Sequence, residues 1–225
     1  MQRMKRPKPR KDEAKNTKPK SYTAEEVQRI IASLDSEPTK WQALMLFMID
    51  SGCRRGEAIG LKWENIDFES GKVEIINNAQ YTEGKGTYIT TPKSGKGRTI
   101  TINPPVLKVL LKWRREQSLL FFQQRIPRSE FVFTHEDGTS MNPQAPTAYM
   151  KRLGKKCGIE SLHPHALRHT MASLSIANGA DIVSVSQKLG HSEVATTLNI
   201  YAHENEEAKE KASQVLADTI YQKRA

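Results

Sequence analysis

Cysteine is nearly absent: Cys53 and Cys157 are the only two in 225 residues. Thiols so few and so far apart form neither a disulfide framework nor a thiolate metal site, and they fit a reducing cytoplasm. Long apolar runs are missing as well. The longest, LMLFMI at positions 44–49, falls far short of the roughly 18 residues that a membrane-spanning helix needs. The first twenty residues, MQRMKRPKPRKDEAKNTKPK, lack the apolar stretch of a secretory signal. No carboxylate or cysteine stands at a ligand spacing from the clustered histidines, so no metal and no cofactor is expected.

What the sequence has instead is positive charge. Its 35 lysines and arginines against 25 acidic residues leave a formal net charge of +10. Such a balance points to a polyanion, and without a spanning run nucleic acid ranks ahead of an acidic membrane surface. The length suffices for one sizeable core.

Residues 1–20 are almost entirely charged, proline or small and polar, and read as a disordered basic arm. Folded structure is expected from Ser21. Thr23 with Glu26 forms a capping box, and Val27, Ile30, Ile31 and Leu34 make one apolar stripe. A second helix is expected over 39–51, then a short one in CRRGEAIGLKW after Gly52. GKVEII, TYITTPK and GRTITI are β-branched stretches between glycine-rich turns and predict a small three-stranded antiparallel sheet. Helical pattern returns from PPVLKVLLKW onward. The fold class is therefore α+β, mainly α-helical, with one inserted sheet.

Several segments hold groups that bind anions or move protons. SLHPHALRHT, residues 161–170, carries three of the six histidines and an arginine. Pro164 suits a first helical turn, which puts His165 and Arg168 on one face. Arginine grips two anionic oxygens, and histidine moves a proton near neutral pH. Alone, the pattern more often marks an ordinary helix face with an arginine reaching to solvent. Arg54 and Arg55 follow a glycine at a helix start, Lys93 and Lys96 flank a tight turn between predicted strands, and His191 and Tyr201 stand near helix ends. Each has an ordinary structural reading.

Taken in order, these segments resemble the tyrosine recombinases, the phage-type integrases, from about Ser21 to His203. GCRRGE is similar to the first arginine motif, with Arg54 at the reactive position. TPKSGKGRTI is similar to the β-hairpin lysine motif, with the lysine at Lys93. HALRHT matches His-x-x-Arg at His165 and Arg168, and LGH and IYAH supply His191 and Tyr201. His163 and His169 are expected to cap and pack. Arg55 beside Arg54, and Lys96 beside Lys93, remain alternatives.

The resemblance implies a catalytic domain over 21–203, acting on double-stranded DNA in the cytoplasm. Arg54 and Arg168 would stabilise the non-bridging phosphate oxygens, with His191 as a further donor. Tyr201 would be the nucleophile, His165 would accept its proton, and Lys93 would protonate the departing 5′ oxygen. The 3′-phosphotyrosyl intermediate conserves the bond energy, so rejoining needs no ATP. Most family members carry an N-terminal domain that closes a clamp around DNA; here the basic arm stands before the first motif. Residues 204–225 predict an amphipathic helix with Ala208, Ala212, Val215, Leu216 and Ile220 on one face. It would pack on its own domain or be exchanged between protomers of a tetramer on DNA. The competing readings are a catalytically silent DNA-binding protein of the same fold and a type IB topoisomerase.

Overall fold

The computed structural model describes residues 21–92, 95–191 and 193–202, the last four by their backbone alone. The basic arm, Lys93 and the C-terminal helix expected over 204–225 lie outside the described residues.

Thr23 opens α1 (Ala24–Leu34). Its hydroxyl accepts from the Glu26 amide at 3.2 Å, and the Glu26 carboxylate accepts from the Thr23 amide at 2.9 Å. Ile30 and Leu34 are buried and Val27 packs against the core, but Ile31 remains exposed. Neighbouring residues on a helix are about 100° apart, so Ile31 sits off the face that meets the core. The central element is α2 (Thr39–Ser51). Ala43, Leu44, Met45, Phe47 and Met48 are all buried, because other helices pack around it. It closes at Gly52, whose φ of +59° is left-handed, and the chain turns into α3 (Arg55–Ile59).

Four strands follow: β1 (Lys72–Ile75), β2 (Asn78–Thr82), β3 (Gly86–Thr90) and β4 (Arg98–Thr101). They correct the expected three-stranded sheet. Among the described residues they form two separate antiparallel ladders, β1 with β4 and β2 with β3. Strand β2, NAQYT, was not expected, because it lacks apolar alternation and only Ala79 of it is buried. The apolar strands pair with each other, burying Val73, Ile75 and Ile100. The predicted turn after β3 therefore links two ladders and is not a hairpin tip. Gly95, at φ +71°, donates its amide to the Pro92 carbonyl at 2.9 Å.

The remaining elements are helical: α4 (Pro104–Gln124), α5 (Ala145–Cys157), α6 (Pro164–Ala177), α7 (Ile182–Leu189) and α8 (Val194–Ala202). α4 and α6 pack on α2, and α7 and α8 pack on α6. The main core joins α2, the β1–β4 ladder, α4 and the start of α6. A smaller cluster of Ala172, Val185 and Leu189 fastens α7 to α6. No described helix is long and apolar enough to cross a membrane.

Candidate active site

The loop between α2 and α3 and the first turn of α6 face each other across a cleft of about 460 Å³. Arg54, Arg55, Thr147, His165 and Arg168 are among its lining residues. Pro164 starts α6 as expected, and His163 caps it, its Nδ1 accepting from the Ala166 amide at 3.2 Å. The ring of His169 meets that of His165 edge-on, 4.5 Å between centroids. Both flanking histidines thus have the capping and packing roles expected of them.

Arg168 is 4% exposed and donates to two backbone carbonyls, Gly52 O and Leu189 O, each at 2.8 Å. These carbonyls lie at the C-terminal ends of α2 and α7, where helix dipoles favour a cation. Both ends close on a left-handed glycine, Gly52 and Gly190. Burial, then the nearby charge of Arg54, brings the Arg168 guanidinium down to about 10, so it stays charged at neutral pH.

Arg54 is held differently. Its Nη1 and its backbone amide both donate to the Glu57 carboxylate at 2.9 Å. Glu57 also accepts from Arg98 Nη2 at 2.7 Å. Burial raises the Glu57 pKa, but the hydrogen bond and charge of Arg98, with the bonds from Arg54, outweigh it and hold the carboxylate below its usual range. This buried anion offsets the repulsion of cations gathered at one place. Arg98 also donates through Nε to Lys188 O at 2.7 Å, tying β4 to the end of α7. Arg55 also lines the cleft but does not touch Glu57; it donates to Gln144 Oε1 at 2.8 Å and Thr147 Oγ1 at 3.0 Å. It is the charge of Arg54 that acts on Arg168.

His191 follows Gly190 and donates its amide to Ser186 O at 3.1 Å. Its Nδ1 lies 2.7 Å from Thr197 Oγ1. Burial, then Arg168 and Arg54, lowers its pKa to about 4. His165 is lowered by burial and then by Arg168, His163 and Arg54. Both imidazoles are therefore neutral at pH 7. Cys53 also borders the cleft, but burial pushes its thiol up to about 12 and leaves it inert.

Of the residues singled out in the sequence, the structure brings Arg54, His165 and Arg168 to one cleft, with His191 beside Arg168. Tyr201 lies on the backbone of α8. Lys93 falls between the described residues Pro92 and Gly95. Glu57, Arg98 and Thr197 were missed as site residues. Arg54-x-x-Glu57 has the spacing of a helix-start pair, which was a usable signal; Arg98 and Thr197 offered none.

Residues 20–208 match the Phage integrase family. The chain is a member of that family. Among its relatives, this integrase-family chain is 30% identical over 221 residues to a "Tyrosine recombinase XerC-like" protein of Caldanaerobacter subterraneus, covering 92% of the chain and 56% of the relative. It is 27% identical over 192 residues to the ICEBs1 integrase of Bacillus subtilis, covering 83% and 51%. The chain thus spans about half the length of these relatives. Its fold matches the Tn1549 transposon integrase, solved in complex with transposon right end DNA. The TM-score is 0.75 at 22% identity, covering 88% of this chain and 66% of the other.

Proposed function

We propose that this integrase-family protein is a site-specific DNA recombinase that cuts and rejoins double-stranded DNA through a 3′-phosphotyrosyl intermediate. The observation that carries the reading is the convergence of Arg54, Arg168 and a neutral His165 on one cleft. Two guanidiniums stabilise charge on a phosphodiester, while a neutral imidazole accepts a proton. The Tyr201 oxygen attacks phosphorus and the phosphorus–O5′ bond breaks. His165 takes the phenolic proton, and Lys93 gives one to the departing 5′ oxygen. His191 donates a further hydrogen bond.

The substrate class is supported by the net charge of +10 and by the Tn1549 integrase, whose structure holds transposon DNA. Integration of a mobile element or phage is the expected role, and the likeness to the ICEBs1 and Tn1549 integrases supports the mobile element. The reaction is assigned to the cytoplasm and to a tetramer on DNA, since recombination joins two sites through four strand cleavages. The test is incubation with a nicked DNA site that traps the cleaved strand. Wild type forms a covalent protein–DNA band. Tyr201→Phe forms none, yet binds DNA nearly as well. A wild type that binds its site and never forms the band is the silent DNA-binding protein instead.

A further inference from the structure

We propose that Thr197 sets the tautomer of His191, keeping the imidazole proton on Nε2 as a donor for the scissile phosphate, and so links the Tyr201 helix to the phosphate site. The inference rests on the strand-transfer reading above and assigns a positioning residue within it.

Thr197 is fully buried, and its Oγ1 lies 2.7 Å from His191 Nδ1. Among the described residues the hydroxyl has no other partner. Buried threonine hydroxyls on helices commonly donate to the carbonyl four residues back, as Thr170 does to Ala166 O at 2.8 Å. Thr197 does not. A buried hydroxyl places its proton on whatever acceptor it has. Here that acceptor is Nδ1, which must then be unprotonated. A neutral imidazole carries a single proton, so the proton resides on Nε2.

The environment keeps the imidazole neutral at pH 7, because burial and the cations Arg168 and Arg54 disfavour a second proton. A neutral histidine can donate from only one nitrogen. Which one decides whether it helps or repels an anionic oxygen. Thr197 and Tyr201 are four residues apart on α8, one turn along the same face. The hydrogen bond therefore fixes the proton of His191 and helps to seat α8, which also packs on α6 and α7, beside the turn at Gly190. A helix that shifts away from the site releases both.

The test combines nitrogen-15 NMR of the histidines at pH 7 with cleavage rates on a nicked DNA site. His191→Gln assigns the resonance. Wild type is expected to show His191 protonated at Nε2 and bare at Nδ1. Thr197→Val, nearly isosteric, is expected to populate both tautomers and to slow covalent attachment about tenfold. That is less than the about 10²–10³ expected for removing a donor outright. Thr197→Ser restores tautomer and rate. In a His191→Ala background, Thr197→Val produces no further slowing, because the residues act as one unit. A wild-type Nδ1–H tautomer overturns the proposal. So does a Thr197→Val that cleaves at the wild-type rate, or one that slows the His191→Ala protein by the same factor. The NMR experiment needs no DNA: a wild type that makes no covalent band overturns the strand-transfer reading, and the tautomer is still decided.

Discussion

Arg54 and Arg168, proposed to grip the same phosphate, are anchored in unequal ways. The Arg54 side chain is 34% exposed and rests on Glu57, which retains Arg98 if Arg54 is removed. Arg168 is enclosed and satisfies two helix-end carbonyls. Arg54→Ala removes one hydrogen bond to the buried Glu57 carboxylate, which keeps Arg98 and the residue-54 amide, and is expected to cost about 1.5 kcal/mol of stability. Arg168→Ala leaves two buried acceptors unpaired and is expected to cost roughly 2–6 kcal/mol, at about 1–3 kcal/mol for each orphaned group. Both variants should lose covalent attachment to DNA by at least about 10²-fold. Urea denaturation beside the adduct assay separates the two effects; equal destabilisation would refute the difference in anchoring. That Arg54, His165 and Arg168 belong together was legible in the sequence from their order and spacing, and they do line one cleft. The supports were not. Glu57 read only as part of a short helix and Arg98 as a strand residue, since neither shows in one dimension what lies opposite it in space.

At the level of elements, the site depends on two helices that stop in the right place. The left-handed turns at Gly52 and Gly190 aim the last carbonyls of α2 and α7 at one guanidinium. A Cβ on Gly190, at φ +69°, would come within 2.9 Å of Arg98 Nη1, a buried atom with no hydrogen-bond partner among the described residues. Gly190→Ala therefore carries the left-handed penalty of about 1–2 kcal/mol and also displaces Arg98 from Lys188 O and Glu57. Gly179, at φ +90°, has nothing within 4 Å of such a Cβ, so Gly179→Ala carries the backbone penalty alone. Both variants should lose stability, and Gly190→Ala alone should also slow DNA cleavage severalfold. Matching cleavage rates for the two would mean that the Arg98 contact has no bearing on the site. Helix starts were readable from Thr23 with Glu26 and from Pro164, because capping is local chemistry. The strand pairing was not readable. β1 joins β4 across an intervening ladder, and β2 lacks the alternation by which a strand is recognised.

The whole molecule is basic, and a large part of that charge sits ahead of the folded domain in residues 1–20. DNA affinity should fall steeply with added salt, because each phosphate neutralised releases counterions. Removing residues 1–20 should flatten the slope of log affinity against log salt; an unchanged slope would show that the arm makes no phosphate contacts. The described domain otherwise joins its chemistry to its architecture in a lopsided way, and that has a bearing on descent. In a lineage released from selection for strand cleavage, mutations that cost only activity drift in freely, while those that cost folding are still removed. Arg54 belongs to the first kind and Arg168 to the second. An inactivated descendant of this protein would thus keep Arg168 long after Arg54 was gone, so a surviving second arginine is weak evidence that such a relative still cuts DNA.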